Sequence, residues 1–255
     1  MITLQSAQEH ISNYYCDFKK FSDENDFSPT PMMMFFNSTS EFPTAIVHLP
    51  ELDDDQADKM VKHKLATMFA PFLDTDIVSV ATDVFFLKGD KDDKDKILNE
   101  GIKPSESIER QEGVTIFTVK ADGKGLFSLK EYGRDDIGKI YFKEQTTSEV
   151  DDVSSGDEIQ SWISPVIMSS FSDQERIDEL LDSKSDELRL LMTGIIKLDE
   201  IGYMVQISDA GMKLLQDKYQ SIDEDTWQTF INGFDSPDDM PESFKFLREK
   251  RDEEE

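Results

Sequence analysis

The sequence contains little cysteine and no long hydrophobic run. Its 255 residues include a single cysteine, Cys16, so we expect no disulfide framework within the chain and a reducing compartment. No apolar run reaches the ~18–20 residues that a membrane span needs. The N-terminus lacks the pattern of a signal peptide. These absences predict a soluble, cytoplasmic protein with no membrane partner, in the host cytoplasm if the source is viral. Cys16 lies in an apolar helix pattern and is predicted to be a buried thiol.

Positive charge is scarce relative to negative charge. The chain has 27 Lys and Arg against 55 Asp and Glu, which gives a formal net charge of −28. Such a chain is repelled by DNA, RNA and anionic membranes, and it attracts basic proteins in a salt-dependent way. The same charge can also serve solubility alone. The composition therefore predicts no direct nucleic-acid binding, and it favours a basic host or viral protein as partner.

Aromatic residues are numerous enough for a hydrophobic core, with 18 Phe, 6 Tyr and 2 Trp. The stretch at 149–160 is polar and acidic, lacks periodicity and is typical of a linker. We therefore predict an α+β domain at 1–148, an acidic linker at 149–160, a mainly helical domain at 161–248 and a charged tail at 249–255.

The N-terminal half has the pattern of a mostly antiparallel sheet with two helices. Six β-prone segments are predicted, at 32–36, 44–49, 77–87, 114–119, 125–132 and 139–142. The polar stretch 88–113 is typical of a functional or disordered loop. Apolar residues at steps of three and four predict the buried stripes of the helices. The first stripe is Leu4, Ala7, Ile11, Tyr14, Phe18 and Phe21, and the second is Ala57, Met60, Val61, Leu65, Met68, Phe69 and Phe72.

The C-terminal half is predicted to be mainly helical, because capping-box patterns begin at Ser172 and Ser221. Residues 186–219 resemble the end of a winged-helix domain: a helix, a Gly-Ile-Ile strand at 194–196, a wing, a Gly-Tyr strand from 202, and a helix opened by Ser-Asp-Ala-Gly. This family often binds DNA through its recognition helix. The segment here carries four cations against six acids and lacks the charge for phosphate contacts, so the resemblance implies protein contact instead. A plain strand hairpin packed on helices is the alternative.

The N-terminal half is also similar to small uncharacterised phage proteins. The shared elements are a Pro-led strand at 31–36, a helix containing Asp58-Lys59, and a segment at 104–110 that begins with Pro-Ser and ends with Glu-Arg. This resemblance implies a phage source and suggests no activity.

Motifs that would support catalysis are missing. The sequence contains no zinc-ligand spacing, no nucleophile elbow, no phosphate loop and no dinucleotide-binding glycine pattern. Two acidic clusters, at 53–58 and 90–95, could hold a hard cation, although a helix cap and a solvated loop explain them more simply. A metal-dependent hydrolase would need the two clusters to converge through Asp53, Asp54, Asp90 or Asp92. We therefore predict a protein that is not an enzyme and that has no catalytic residue, metal site or cofactor.

The leading functional prediction is a non-enzymatic acidic interaction protein, phage-encoded, that binds a basic, nucleic-acid-binding protein. Mimicry of a nucleic acid is one version of this hypothesis. A virion or assembly protein and a winged-helix adaptor in transcription or replication are the alternatives, and the sequence leaves the oligomeric state open. An acidic patch beside an aromatic ring suits protein binding. The predicted contact residues are Asp223, Asp225, Trp227, Asp235, Asp238 and Asp239.

Overall fold

The computed structural model describes residues 2–50, 56–87, 110–151, 153, 171 and 184–219. The helices are α1 (Leu4–Glu24), α2 (Gln56–Ala66), α3 (Lys184–Glu200) and α4 (Asp209–Tyr219), and a short 3-10 helix, Thr67–Phe69, follows α2. The strands are β1 (Met32–Phe36), β2 (Ala45–His48), β3 (Ile77–Leu87), β4 (Arg110–Lys120), β5 (Gly125–Arg134), β6 (Ile140–Val150) and β7 (Met204–Ile207). Within these residues the strands form one seven-stranded sheet in the order β6-β5-β4-β3-β1-β2-β7, and every neighbouring pair is antiparallel.

Strand β1 lies between β3 and β2 and is buried along its whole length. Its side chains alternate between two hydrophobic cores. Met32, Met34 and Phe36 pack on the side of α1, whereas Met33 and Phe35 pack on the side of α2, α3 and α4. A strand covered on both faces needs a continuous apolar run, which is the sequence that β1 has.

The predicted strands of the N-terminal half are confirmed, and three of them extend further than predicted. Strand β6 reaches residue 150, although its polar second half has no apolar alternation. Pairing with β5 along residues 140–150 supplies the hydrogen bonds that keep this part extended. The predicted hairpin at 121–125 is also confirmed, with Gly123 at φ +87° in its turn. The segment 88–109 lies outside the described residues.

The predicted buried stripe of α1 is confirmed at more positions than that of α2. In α1, Ala7 and Ile11 are buried as predicted, and Cys16 is the predicted buried thiol. Tyr14 and Phe21 instead point to solvent, because the helix turns Tyr15 toward the sheet. The second predicted stripe is wrong within α2, where Met60, Val61 and Leu65 are exposed while His63 and Ala66 are buried. Phe72, the last residue of that stripe, lies after the helix and is buried as predicted. Within the described residues no helix is long and apolar enough to cross a membrane.

The predicted fold class is wrong in its second half. Residues 184–219 form a helix, a strand and a helix, and β7 pairs with β2, so this segment extends the sheet of the N-terminal half. The described residues therefore show no mainly helical, winged-helix-like C-terminal domain. Gly194, Ile195 and Ile196, predicted as a strand, lie inside α3. The predicted linker and C-terminal boundaries fall mostly outside the described residues, and they stay predictions.

Close backbone contacts fix β7 and α4 against the start of β2. The Ser208 hydroxyl donates to the Pro43 carbonyl oxygen at 2.5 Å, and its oxygen accepts from the Gly211 N–H at 3.2 Å. A Cβ atom on Gly211 would lie 2.0 Å from the Thr44 carbonyl oxygen. Only glycine allows so close an approach. The Ser-Asp-Ala-Gly sequence therefore begins α4 and also docks it on the sheet.

Candidate interaction surface

A row of rings runs along one side of α1. Seven rings form this row, which we call the ring surface, and their order is Phe42, His10, Tyr14, His48, Phe18, Phe27 and Phe21. The ring centroids are 6.0 Å apart for Phe42–His10 and 6.4 Å apart for Tyr14–His48. The separations are 5.3 Å for Phe18–His48, 6.0 Å for Phe18–Phe27 and 5.9 Å for Phe21–Phe27. His10 and Tyr14 are neighbours four residues apart on the helix. Ring pairs at these separations attract one another beyond simple burial of area.

Local sequence explains how the row is built. The side chains of His10, Tyr14, Phe18 and Phe21 recur at steps of three and four, so they share one side of α1. After the helix, Asp26 adopts φ +57° and the Phe27 N–H donates to the Ser22 carbonyl oxygen at 3.0 Å. This turn folds the chain back and places the Phe27 ring against Phe18 and Phe21.

The ring surface is open to solvent at both ends. Phe42 is 61% exposed and Phe21 is 57% exposed, with Phe27 and Tyr14 also exposed. Helix α1 packs mainly across β3, β4 and β5, and within the described residues it has few contacts with β2. Folded proteins seldom expose several large rings together, and contiguous apolar patches mark interaction sites.

His48 lies under the middle of the row and is only 4% exposed. Neither of its ring nitrogens has a hydrogen-bond partner in the part of the chain that the structure describes. Burial lowers the pKa of His48 below its ordinary value, so the ring is neutral at pH 7. A buried polar group without a partner is costly. His48 is therefore a polar group beneath the rings that lacks a hydrogen-bond partner within the part of the chain that the structure describes.

Carboxylates flank the ring surface. Glu24 and Asp26 lie beside Phe21 and Phe27 in the chain, and Glu41 precedes Phe42; all three are exposed. The cations of residues 2–50 are Lys19 and Lys20, against six acids. Lys19 pairs with Asp83, and Lys20 lies over the Phe142 ring at 5.7 Å. The described surroundings of the ring surface are therefore negatively charged.

No family model matches the chain, and no curated protein or solved structure matches it either. The contact residues predicted from the sequence, Asp223, Asp225, Trp227, Asp235, Asp238 and Asp239, all lie outside the described residues.

Other clusters of titratable groups serve the fold. Lys19 on α1 donates to Asp83 on β3, and the buried rings of Tyr15 and Tyr132 lie beside them. Burial raises the pKa of Tyr15 well above its ordinary value, and the Asp83 charge adds to this. Burial also raises the pKa of Asp83, against the opposing effect of Lys19. These groups join α1 to the sheet.

The metal hypothesis concerns the two acidic clusters at 53–58 and 90–95. Within the described residues no group of three or more His, Cys, Asp or Glu could hold a metal ion. Asp58, a member of the first acidic cluster, pairs with Lys62 at 2.6 Å one helical turn away. Asp53, Asp54, Asp90 and Asp92 lie outside the described residues, so their convergence stays untested.

Sequence reasoning missed the ring surface because it assigned Tyr14, Phe18 and Phe21 to the core. A signal was present at two positions. Phe42 stands in a polar connection between two strands, and Phe27 stands in the polar segment after the first helix. A large apolar ring in a loop has no neighbouring core residues in sequence. It either packs onto the core from the loop or is exposed and available to bind a partner. Here Phe42 is exposed.

Proposed function

We propose that this chain is a non-enzymatic, acidic interaction protein that docks a basic, nucleic-acid-binding protein through the ring surface. The observation that carries the proposal is the row from Phe42 to Phe21, with exposed rings at both ends and exposed carboxylates beside them. Neither feature alone defines a partner. Together they select a partner by charge and by shape.

The chemistry of the row suits Lys and Arg side chains. A cation placed over an aromatic ring is attracted by the ring quadrupole, and the attraction grows as water is excluded. The fold already uses this contact, since Lys20 and Lys130 lie 5.7 Å and 5.6 Å from the centroid of the Phe142 ring. Nucleic-acid-binding proteins present such cations in clusters. The exposed carboxylates of Glu24, Asp26 and Glu41 would pair with the cations that reach past the rings.

The net charge of −28 acts at longer range. It speeds the encounter with a basic partner, and salt weakens this attraction. It also repels nucleic acid, so the partner would be bound as a protein and not through DNA or RNA. The rings would then supply the contacts that slow dissociation, because buried aromatic anchors dominate interface energies.

The test is capture from nuclease-treated host lysate by the tagged full chain, with elution in a salt gradient and identification by mass spectrometry. Three chains are compared: the wild type, Phe27→Ser/Phe42→Ser, and Ile137→Ser. Ile137 is 78% exposed in the β5–β6 turn and serves as the matched control for loss of an exposed apolar side chain. We expect the wild type and Ile137→Ser to retain the same basic protein, released at moderate salt. The double variant should retain at least about tenfold less.

Equal capture by all three chains would contradict the assignment of the ring surface. Partners that are acidic, or that disappear after nuclease treatment, would contradict the proposed partner class.

A further inference from the structure

Within the described residues, the sheet ends at β7, a short edge strand next to the ring surface. β7 pairs with β2 on one side, and no residue in the described ranges pairs with it on the other. Unpaired strand edges are templates for another extended segment. Four residues make a short edge, so a segment added there would need side-chain contacts as well.

The register shows which backbone groups face outward. The Ser208 N–H donates to the Thr44 carbonyl oxygen at 3.1 Å, in line with the ladder in which Ile207 lies opposite Ala45. Hydrogen-bonded and non-bonded pairs alternate in an antiparallel ladder. Residues 204 and 206 therefore also bond to β2. The N–H and C=O groups of Val205 and Ile207 point away from the sheet.

The side chains next to this edge form a shelf that leads to the ring surface. Met204 lies opposite His48, and Gln206 lies opposite Ile46. Directly opposed residues share a face, and His48 contacts rings of α1, so Met204 and Gln206 lie on the α1 side. Both are exposed, with Met204 at 49%. A strand beside β7 would place every second side chain over this shelf and toward the rings.

We infer that β7 accepts an extended, Lys- or Arg-containing segment of the basic partner as an eighth strand. Val205 and Ile207 would supply the backbone contacts and the ring surface would supply the side-chain contacts. This inference rests on the proposed function and specifies how the partner binds. Charge selects the occupant: a second copy of this chain would bring another −28 to the same edge, whereas a basic segment neutralises it.

The test uses the full chain and a short fluorescent peptide that alternates Lys with Val and Tyr. Its affinity is measured by anisotropy for the wild type, Val205→Ala and Val205→Pro. Proline removes the outward N–H of residue 205 and leaves the hydrogen bonds to β2 intact. An edge strand tolerates proline at such a position. Alanine controls for the lost side chain. We expect Val205→Pro to bind about tenfold more weakly than Val205→Ala.

Hydrogen exchange on the wild type provides a measurement that needs no variant. The peptide should slow exchange at the amides of Val205 and Ile207, and change residues 204 and 206 far less. Equal affinity of the two variants, or unchanged exchange at 205 and 207, would overturn strand addition. If strand addition is overturned but lysate capture still depends on the rings, the proposed function stands. If ring-dependent capture also fails, the proposed function is contradicted as well. The wild type could instead form a dimer that is lost in Val205→Pro. That result would show that a second copy occupies the edge, and it would also overturn the inference.

Discussion

The Phe18 ring meets the His48 ring edge to face, with 5.3 Å between their centroids. This contact joins α1 to β2, the strand that pairs with β7 at the end of the described sheet. It also places the neutral imidazole of His48, which has no hydrogen-bond partner in the described ranges, directly under an exposed row of aromatic rings. The same pair of residues therefore connects the hydrophobic core on the α1 side to the candidate interaction surface.

His48 should make the protein less stable as the solution becomes mildly acidic. Burial holds its folded-state pKa below the ordinary value. Above pH ~6.5 the ring is neutral in both states, and as the pH falls toward the folded pKa the unfolded chain takes up the proton first. Stability is therefore lost as the pH decreases through this window. His48→Phe should flatten the dependence of the unfolding free energy on pH between about 6.5 and 5, and urea titrations at several pH values measure it.

His63 provides the comparison for this prediction. Burial lowers the pKa of His63 to about 4, so His63 also makes the protein less stable as the pH decreases. His48→Phe should therefore leave part of the pH dependence in place. A pH profile identical to that of the wild type would contradict the buried, neutral state of His48.

Removing one partner of the Lys19–Asp83 pair should lower the unfolding free energy more than removing both. Lys19→Met leaves a largely buried carboxylate, whose Oδ1 atom has no hydrogen-bond partner in the described residues, without its cation. We expect a loss of about 2 kcal/mol in unfolding free energy, since breaking a buried pair costs several kcal/mol and this pair is partly hydrated. Lys19→Met/Asp83→Leu should recover most of it. If the double variant is no more stable than Lys19→Met, the stranded charge is not the cause.

The pH dependence of Lys19→Met gives a second measurement. The pKa of Asp83 is already raised by burial, so its contribution to stability is present below the unfolded pKa and is lost as the pH rises through the folded value. Removing the cation extends this window upward. The deficit of Lys19→Met should therefore be smaller near about pH 4 than near about pH 7.

Gly211→Ala should weaken the docking of β7 and α4. The added methyl group would lie 2.0 Å from the Thr44 carbonyl oxygen, and a shift to relieve this contact would strain the hydrogen bonds of Ser208 to residues 43 and 44. We expect a loss of about 3 kcal/mol. Gly194→Ala is the matched control in α3, because the group it meets is the flexible end of Met68. Its effect should stay within about 1 kcal/mol, since alanine favours the helix. Equal losses in urea unfolding would contradict the close approach at Thr44.

Local patterns predicted strands far better than they predicted what the elements pack against. The apolar run 32–36 and the β-branched stretch 77–87 have the predicted bounds, because each pattern is contained within the strand itself. Residues 204–207 pair with β2, more than 150 residues earlier in the chain. Nothing local encodes that partner, and the winged-helix resemblance of residues 186–219 suggested a different fold.

The candidate site was hidden for a related reason. An apolar stripe on a helix specifies which residues share a side, and it does not specify how wide a sheet lies beneath them. Tyr14 and Phe21 follow Ala7 and Ile11 at steps of three and four, but the buried face of α1 also includes Tyr15 and Cys16 and is turned away from both rings. Their exposure depends on the tertiary position of α1, as does the exposure of Phe42.

Site-specific photo-crosslinking tests most directly whether the ring surface contacts a basic protein. A photoreactive phenylalanine analogue at position 27, 42 or 137 of the full chain is irradiated in nuclease-treated lysate. The first two positions keep an aromatic ring in the row, and the third lies in the β5–β6 turn. We expect positions 27 and 42 to label the same Lys- and Arg-rich protein, with less labelling at high salt, and position 137 not to label it. Equal labelling from all three positions, or labelling of that protein from position 137 alone, would contradict the account.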